Sequence, residues 1–263
     1  MIETIRVDLH CHSCMSDGDH TPTYVAHSVA AVGATWAALT DHNSVEGQHQ
    51  FRAVLERRGV GSVVGLEMDG RSPVGVLHLL GYGFDVENED LLAALRTIRQ
   101  PRRAAARYWM DRARLATGRP TSPPRQCTRP GHGTTPHRPP TTAEVICLLH
   151  GAGGTVFLAH PLAGLNSIER LEEVLDWLQP EGLDGIEAFH KKYSQDTQQS
   201  LLAVAEHRGL LTVAGSDFHG VHHSDGGSPG VDMPLVHWRR FMAALGLGSL
   251  DGPPTSFHDR VAT

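Results

Sequence analysis

Apolar and polar residues alternate along Ile5-Arg6-Val7-Asp8-Leu9-His10-Cys11-His12, the period-two pattern of a strand with one buried face. Val7, Leu9 and Cys11 fall on the inward face, and Asp8, His10 and His12 share the other. Two imidazoles one residue apart on a single strand face suit a metal ion. A helical stretch over 23–32 ends near Gly33, and 37–40 reads as a short buried strand. Residues 45–58 are helical, 60–66 form a strand delivering Glu67, and 74–82 form another delivering His78. Strand, ligand and helix keep following one another, the order of a parallel α/β fold with its chemistry at strand ends.

The pattern changes between 87 and 140. A long Arg- and Ala-rich helix is predicted from 87 to 117, kinked or restarted at Pro101. Arg99, Arg103 and Arg107 recur every four residues and form one stripe, either a solvated helix face or a phosphate clamp. From Gly118 to Pro140 the chain is dense in Pro, Gly, Arg, Thr and His without periodicity, which reads as loop. Regular structure resumes with a helix at 142–150 and a strand at 153–159 delivering His160. A helix at 168–177 and a strand at 185–189 follow, the strand containing Glu187 and leading to His190. A helix at 194–208, a strand at 211–214 delivering Asp217 and His219, and a short helix near 238–245 complete the series.

Composition narrows the chemistry. Eighteen His against four Cys point to nitrogen and oxygen ligation rather than thiolate clusters. Cys11 and Cys14 form a C-x-x-C without a second close pair, so all four cysteines read as free thiols of a reducing compartment. The net charge of -6 speaks against a long nucleic-acid partner. No basic-then-apolar leader precedes the first strand and no apolar run approaches ~18 residues, so a cytoplasmic protein without a membrane partner is expected.

The candidates at strand ends are His10, His12, Asp17, His42, Glu67, His78, His160, Asp217 and His219. Six imidazoles and three carboxylates exceed what one cation needs, and Glu67 or Asp217 suits a bridge between two. Asp17 can instead cap the turn at Gly18, and Asp41 reads as a carboxylate orienting His42. Glu187 and His190 either carry chemistry or simply close a strand.

The runs Asp8-Leu9-His10-Cys11-His12-Ser13, Ser16-Asp17-Gly18, Thr40-Asp41-His42-Asn43, Gly65-Leu66-Glu67-Met68, His78-Leu79-Leu80-Gly81-Tyr82, Ala159-His160-Pro161 and Gly215-Ser216-Asp217-Phe218-His219-Gly220 occur in that order. In this set the chain resembles the polymerase and histidinol phosphatase (PHP) superfamily of metal-dependent phosphoesterases, over about 5–117 and 141–220 and closest to its single-domain nucleotide phosphoesterases. The resemblance implies a distorted (β/α)7 barrel over 1–86 and 141–263 with a small inserted helical subdomain at 87–140. It implies two to three divalent ions, with manganese, iron and zinc all compatible. His10, His12, Glu67 and Asp217 would hold one ion, Glu67, His78 and His160 a second, and Asp17, His42 and His219 a third.

The implied reaction is hydrolysis of a phosphomonoester on a small nucleotide-like substrate by a metal-bridging hydroxide attacking phosphorus, with Asp17, His42 and Asp217 in the catalytic set. His190 is a candidate general acid and substrate contact, and Arg99 and Arg103 are candidate phosphate grips. Related phosphoesterases continue the insertion with Gly-Arg-Pro-His, where this chain has Gly118-Arg119-Pro120-Thr121, so a shortened or remodelled lid is expected. Three other readings stay open: an exonuclease or phosphodiesterase on short oligonucleotides, a histidinol-phosphate-type phosphatase, and a metal-stabilised accessory module. Oligomeric state is not legible.

Overall fold

The computed structural model describes residues 3–98, 139–221 and 227–248. Among the described residues the elements run β1 (Thr4–Cys11), α1 (Pro22–Ala31), β2 (Trp36–Leu39), α2 (Gln48–Arg57), β3 (Gly61–Ser62), β4 (Gly65–Ser72) and β5 (Gly75–Tyr82). A helix described over 89–98, α3, opens the segment that returns at residue 139. Then come α4 (Thr142–Gly151), β6 (Thr155–Leu158), α5 (Ile168–Leu178), β7 (Gly185–His190), α6 (Gln195–Arg208), β8 (Leu211–Gly215), β9 (Val231–Pro234) and α7 (Leu235–Ala244). The Arg stripe at 99, 103 and 107, the stretch 118–138, and His222 and His223 lie outside the described residues.

Helix starts follow local chemistry. Thr21 caps α1 by accepting from the Tyr24 amide, with Pro22 at the first helical position. Thr141 and Glu144 form a reciprocal capping box at α4, and α6 stops where Gly209 takes φ 70°.

The hydrogen-bonded ladders form two sheets, ordered β3-β2-β1-β9 and β4-β5-β6-β7-β8. Pairing is parallel in β1-β2-β3 and in β6-β7-β8, as expected, but antiparallel in β4-β5-β6. Two residues, Pro73 and Val74, join β4 to β5. That link is far too short for a parallel crossover, so the pair is a hairpin. Glu67 and His78 therefore sit inside strands rather than beyond their ends. The predicted strand at 60–66 divides into β3 and the start of β4, and β9 adds an antiparallel neighbour to β1 that period alone did not reveal.

Isolated bridges link Cys11 to Phe218 and His42 to Glu67, bringing β1 beside β8 and β2 beside β4. The Tyr82 hydroxyl donates to the Leu9 carbonyl at 2.8 Å and pins β5 to β1. Val7 and Leu9 enter a large core with Trp36, Tyr82, Phe157, Trp238 and Phe241. Cys11 enters a smaller one against Val25, Val29, Phe51 and Leu55, its thiol donating to the Ala38 carbonyl at 3.2 Å. The inward face of β1 is thus apolar packing, and its other face is left for ligands. No helix among the described residues is long and apolar enough to cross a membrane.

Candidate metal centre

Glu67 stands at the centre of the site, fully buried on β4. Five imidazoles turn a ring nitrogen toward its carboxylate: His10 Nε2 at 3.3 Å, His12 Nε2 at 3.1 Å and His42 Nε2 at 3.2 Å from Oε2, and His78 Nδ1 at 3.0 Å and His160 Nε2 at 3.3 Å from Oε1. Neither carboxylate oxygen has a hydrogen bond of proper geometry, and neither do His10 Nε2, His12 Nε2 or His78 Nδ1. Buried polar atoms are ordinarily satisfied. Atoms this close that are not aligned as donor and acceptor fit ligands facing a shared cation.

Asp217 brings Oδ1 to 3.4 Å from His10 Nε2 and 3.2 Å from His12 Nε2. Asp17 reaches the same region from the loop after β1, with Oδ1 3.4 Å from His219 Nε2 and 3.8 Å from His12 Nδ1, and Oδ2 3.8 Å from His42 Nε2. Among the described residues, four groups offer donor atoms within 4.8 Å of one another: His10, His12, Glu67 and Asp217; Glu67, His78 and His160; His12, Asp17, His42 and His219; and His42, Asp69 and His78. All nine residues singled out from sequence fall in these groups. His12 joins two of them, and Asp69 is an addition.

Backbone conformation aims several of these groups. His160 and Asp217 adopt left-handed φ values of 28° and 54°, strained for residues with a Cβ. The strain is held by hydrogen bonds: the His160 amide donates to Glu187 Oε2 at 2.7 Å, and the Asp217 amide to the His10 carbonyl at 2.8 Å. Gly215 lets β8 lie against the site, since a Cβ there would fall 2.2 Å from His10 Cβ and 2.6 Å from Glu187 Oε1.

Outer carboxylates complete the frame. Glu187 faces His10 Nδ1 at 3.0 Å. Asp8 accepts from the Ser216 hydroxyl and amide and from the Gly230 amide, at 2.7, 3.1 and 2.8 Å, fixing the turn that carries Asp217. Asp41 takes a different part from the expected one. It accepts from the Ser13 amide and from the Ser13 and Ser16 hydroxyls, each at 2.7 Å, and so braces the loop bearing Asp17. The carboxylate facing His42 Nδ1 is that of Asp69, at 3.3 Å. The sequence signal for Asp69 was its place two residues after Glu67, on the same strand face; for Asp8 it was the shared face with His10.

Charge follows geometry. Burial works to raise the Glu67 and Asp217 carboxyls, but the surrounding imidazoles overcome it and hold both well below the carboxylate range. Burial likewise opposes charge on His12, yet Asp217, Glu67 and Asp17 push its pKa up to about 10, and His10 and His78 move in the same direction. His190 goes the other way. Burial lowers it, its Nδ1 accepts from the Lys192 amide at 3.1 Å, and its Nε2 is buried without a hydrogen bond. His190 belongs to none of the four donor groups.

Interlocking sets of imidazole and carboxylate donors around one buried carboxylate are the make of a metal-dependent hydrolase. The PHP domain family model matches residues 8–108. A 3',5'-nucleoside bisphosphate phosphatase of Chromobacterium violaceum is 30% identical, the alignment covering 81% of this chain and 87% of that protein. The chain belongs to the PHP family. A 5'-3' exoribonuclease of Haemophilus influenzae is 25% identical over 82% of this chain and 90% of its own length. Among solved structures, an amidohydrolase from Chromobacterium violaceum with bound sulfate superposes with a TM-score of 0.72 at 26% identity, covering 90% of this chain and 96% of that one.

Proposed function

We propose that this protein is a metal-dependent phosphatase that releases phosphate from a small nucleotide-like phosphomonoester. The observation that carries the reading is Glu67, ringed by five imidazoles at 3.0–3.3 Å with both oxygens lacking hydrogen bonds. His10, His12, Glu67 and Asp217 would hold one cation, Glu67, His78 and His160 a second, and Asp17, His42 and His219, with His12 in reach, a third. Manganese, iron and zinc all suit such donors. Divalent ions bound there supply charge neutralisation at phosphorus and a water acidic enough to react near neutral pH.

The chain's own residues do the rest. Glu187 accepts from the His10 ring and from the His160 amide, which keeps His10 Nε2 and the His160 ring turned inward. Neutral His190, with Nδ1 occupied as an acceptor, carries its proton on Nε2 and is placed in this reading to hydrogen-bond the leaving-group oxygen; proton transfer from it to the departing alkoxide would require the doubly protonated ring. Arg99 and Arg103 are the proposed phosphate grips, since a guanidinium fork matches phosphate oxygens.

The fold reading is a distorted seven-stranded ring, supported by the two bridges that set β1 beside β8 and β2 beside β4. Residues 87–140 are its proposed insertion. The protein would act in the cytoplasm on a small diffusible substrate; the negative net charge supports a small substrate over a long polyanion.

Likeness to the Haemophilus exoribonuclease favours one second reading, trimming of short oligonucleotides from an end. A phosphate-release and product screen of the metal-reconstituted protein separates them. Nucleoside mono- and bisphosphates turned over well above oligonucleotides and sugar phosphates support the first reading; mononucleotide release from oligonucleotides as the dominant activity replaces it with the second.

A further inference from the structure

Asp69 is buried on β4 and shares its strand face with Glu67. Its Oδ1 lies 3.3 Å from His42 Nδ1 and 3.7 Å from His78 Nε2. The opposite nitrogen of each ring faces Glu67, His42 Nε2 at 3.2 Å and His78 Nδ1 at 3.0 Å. Both imidazoles thus lie between the same two carboxylates, with His42 Nδ1 close to Asp69 but not aligned as a donor to it and His78 Nε2 just beyond hydrogen-bond distance. Each ring also belongs to a separate donor group without Asp69, His42 with His12, Asp17 and His219, and His78 with Glu67 and His160, while His42, Asp69 and His78 together make a further one.

The backbone locks Asp69 into this place. In the β4–β5 register Asp69 is paired directly with His78, and the His42–Glu67 bridge sets the β2 loop alongside. Asn43, next to His42 and at φ 50°, donates Nδ2 to Asp69 Oδ2 at 3.1 Å and accepts the Asp69 amide at 3.4 Å. Its own amide donates to the Glu67 carbonyl at 2.7 Å. Asn43 therefore ties together the residues flanking both ends of the two imidazoles.

An imidazole that gives one nitrogen to a cation keeps a proton on the other, and an acceptor there fixes both the tautomer and the ring plane. From this placement we infer that Asp69 is a positioning residue that orients His42 and His78 together and so couples two of the proposed metal positions. The inference rests on the metal-centre reading above. Asp69 shares a donor group with the same two rings, so the count of bound zinc is what separates an orienting residue from a ligand.

The test uses full-length protein reconstituted with zinc, with bound metal counted by elemental analysis and its release to a chromogenic chelator followed in time. Wild type is compared with Asp69→Ala and Asp69→Asn, and circular dichroism and thermal unfolding report folding. Loss of an orienting acceptor predicts zinc release faster by roughly 10- to 100-fold from part of the bound metal in Asp69→Ala, with the remainder leaving at the wild-type rate. Asp69→Asn, which keeps an acceptor oxygen, should fall between the two.

Wild-type release rates in both variants overturn the inference. So does the clean loss of one zinc equivalent with the others unchanged, which would make Asp69 a ligand. If Asp69→Ala does not fold, Asp69→Asn decides alone: accelerated release supports the inference, and unchanged release overturns it. A wild-type protein that takes up no zinc overturns the metal-centre reading and this inference with it, a result distinct from failure of the inference alone.

Discussion

Glu187 accepts the Nδ1 hydrogen of His10 at 3.0 Å, with both side chains fully buried. The imidazoles of His10, His190 and His160 hold the Glu187 carboxyl below its usual range against the effect of burial, so it is ionised and can only accept. His10 therefore carries its ring proton on Nδ1 and presents Nε2 to Glu67 and Asp217. The other Glu187 oxygen accepts the His160 amide at 2.7 Å. Glu187→Gln should weaken metal binding about 10- to 100-fold. Glu187→Ala should also cost about 1–3 kcal/mol, because two buried donors lose their acceptor. Metal titration and urea unfolding check the two effects separately.

Glu67 is the one carboxylate shared by all five surrounding imidazoles. Glu67→Ala should lower phosphate release by at least ~10³-fold, since several kcal/mol of charge stabilisation is lost with the ions it helps to hold. The apolar packing of β4 through Leu66 and Met68 is untouched, so the circular dichroism spectrum should stay that of the folded protein. Retained turnover would remove Glu67 from the centre of the site.

The metal-free and metal-loaded proteins should respond oppositely to alkali. His12 is raised from 6.5 to about 10, and His10 and His78 are raised too. Groups whose folded pKa lies above the unfolded value stabilise fully below pH 6.5 and lose that contribution as pH climbs toward 10. Glu67, Glu187 and Asp217 are depressed, so their contribution is present above the unfolded carboxylate range and is lost on acidification. The metal-free Tm should therefore be highest in mildly acidic buffer and fall on either side. Bound cations replace those protons, so metal affinity should rise over the same alkaline window, with protons released on binding. Unfolding scans across pH with and without zinc, and calorimetry in buffers of different ionisation enthalpy, measure both.

Gly215 has no room for a side chain. A methyl group there would press on His10 Cβ and Glu187 Oε1 together. Gly215→Ala should cost about 1–3 kcal/mol by overpacking and should weaken metal binding at the same time. A variant with normal stability and normal metal uptake would show that β8 can shift away.

Much of the centre was legible because its ligands lie on strands or just after them, where period two separates ligand from core: His10 and His12 against Leu9 and Cys11 is the clearest case. What the pattern missed were relationships between elements. The antiparallel β4–β5 pairing depends on a two-residue link, and only that pairing sets Asp69 opposite His78. Asp41 stands beside His42 in sequence, which suggests it as the partner of that ring, yet the turn after β2 sends it to Ser13 and Ser16. Glu187 and His190 looked alike as a strand end. In the structure the first grips His10, and the second lies outside every donor group.

The most direct test of the account couples metal content to phosphate release in one preparation. Metal-free protein is titrated with manganese or zinc while inorganic phosphate released from a 3',5'-nucleoside bisphosphate and from nucleoside monophosphates is measured at each metal-to-protein ratio. Release that is absent without metal, rises up to two or three equivalents and disappears in Glu67→Ala is the predicted result. Protein that binds two or more equivalents yet releases phosphate from none of these esters would contradict it.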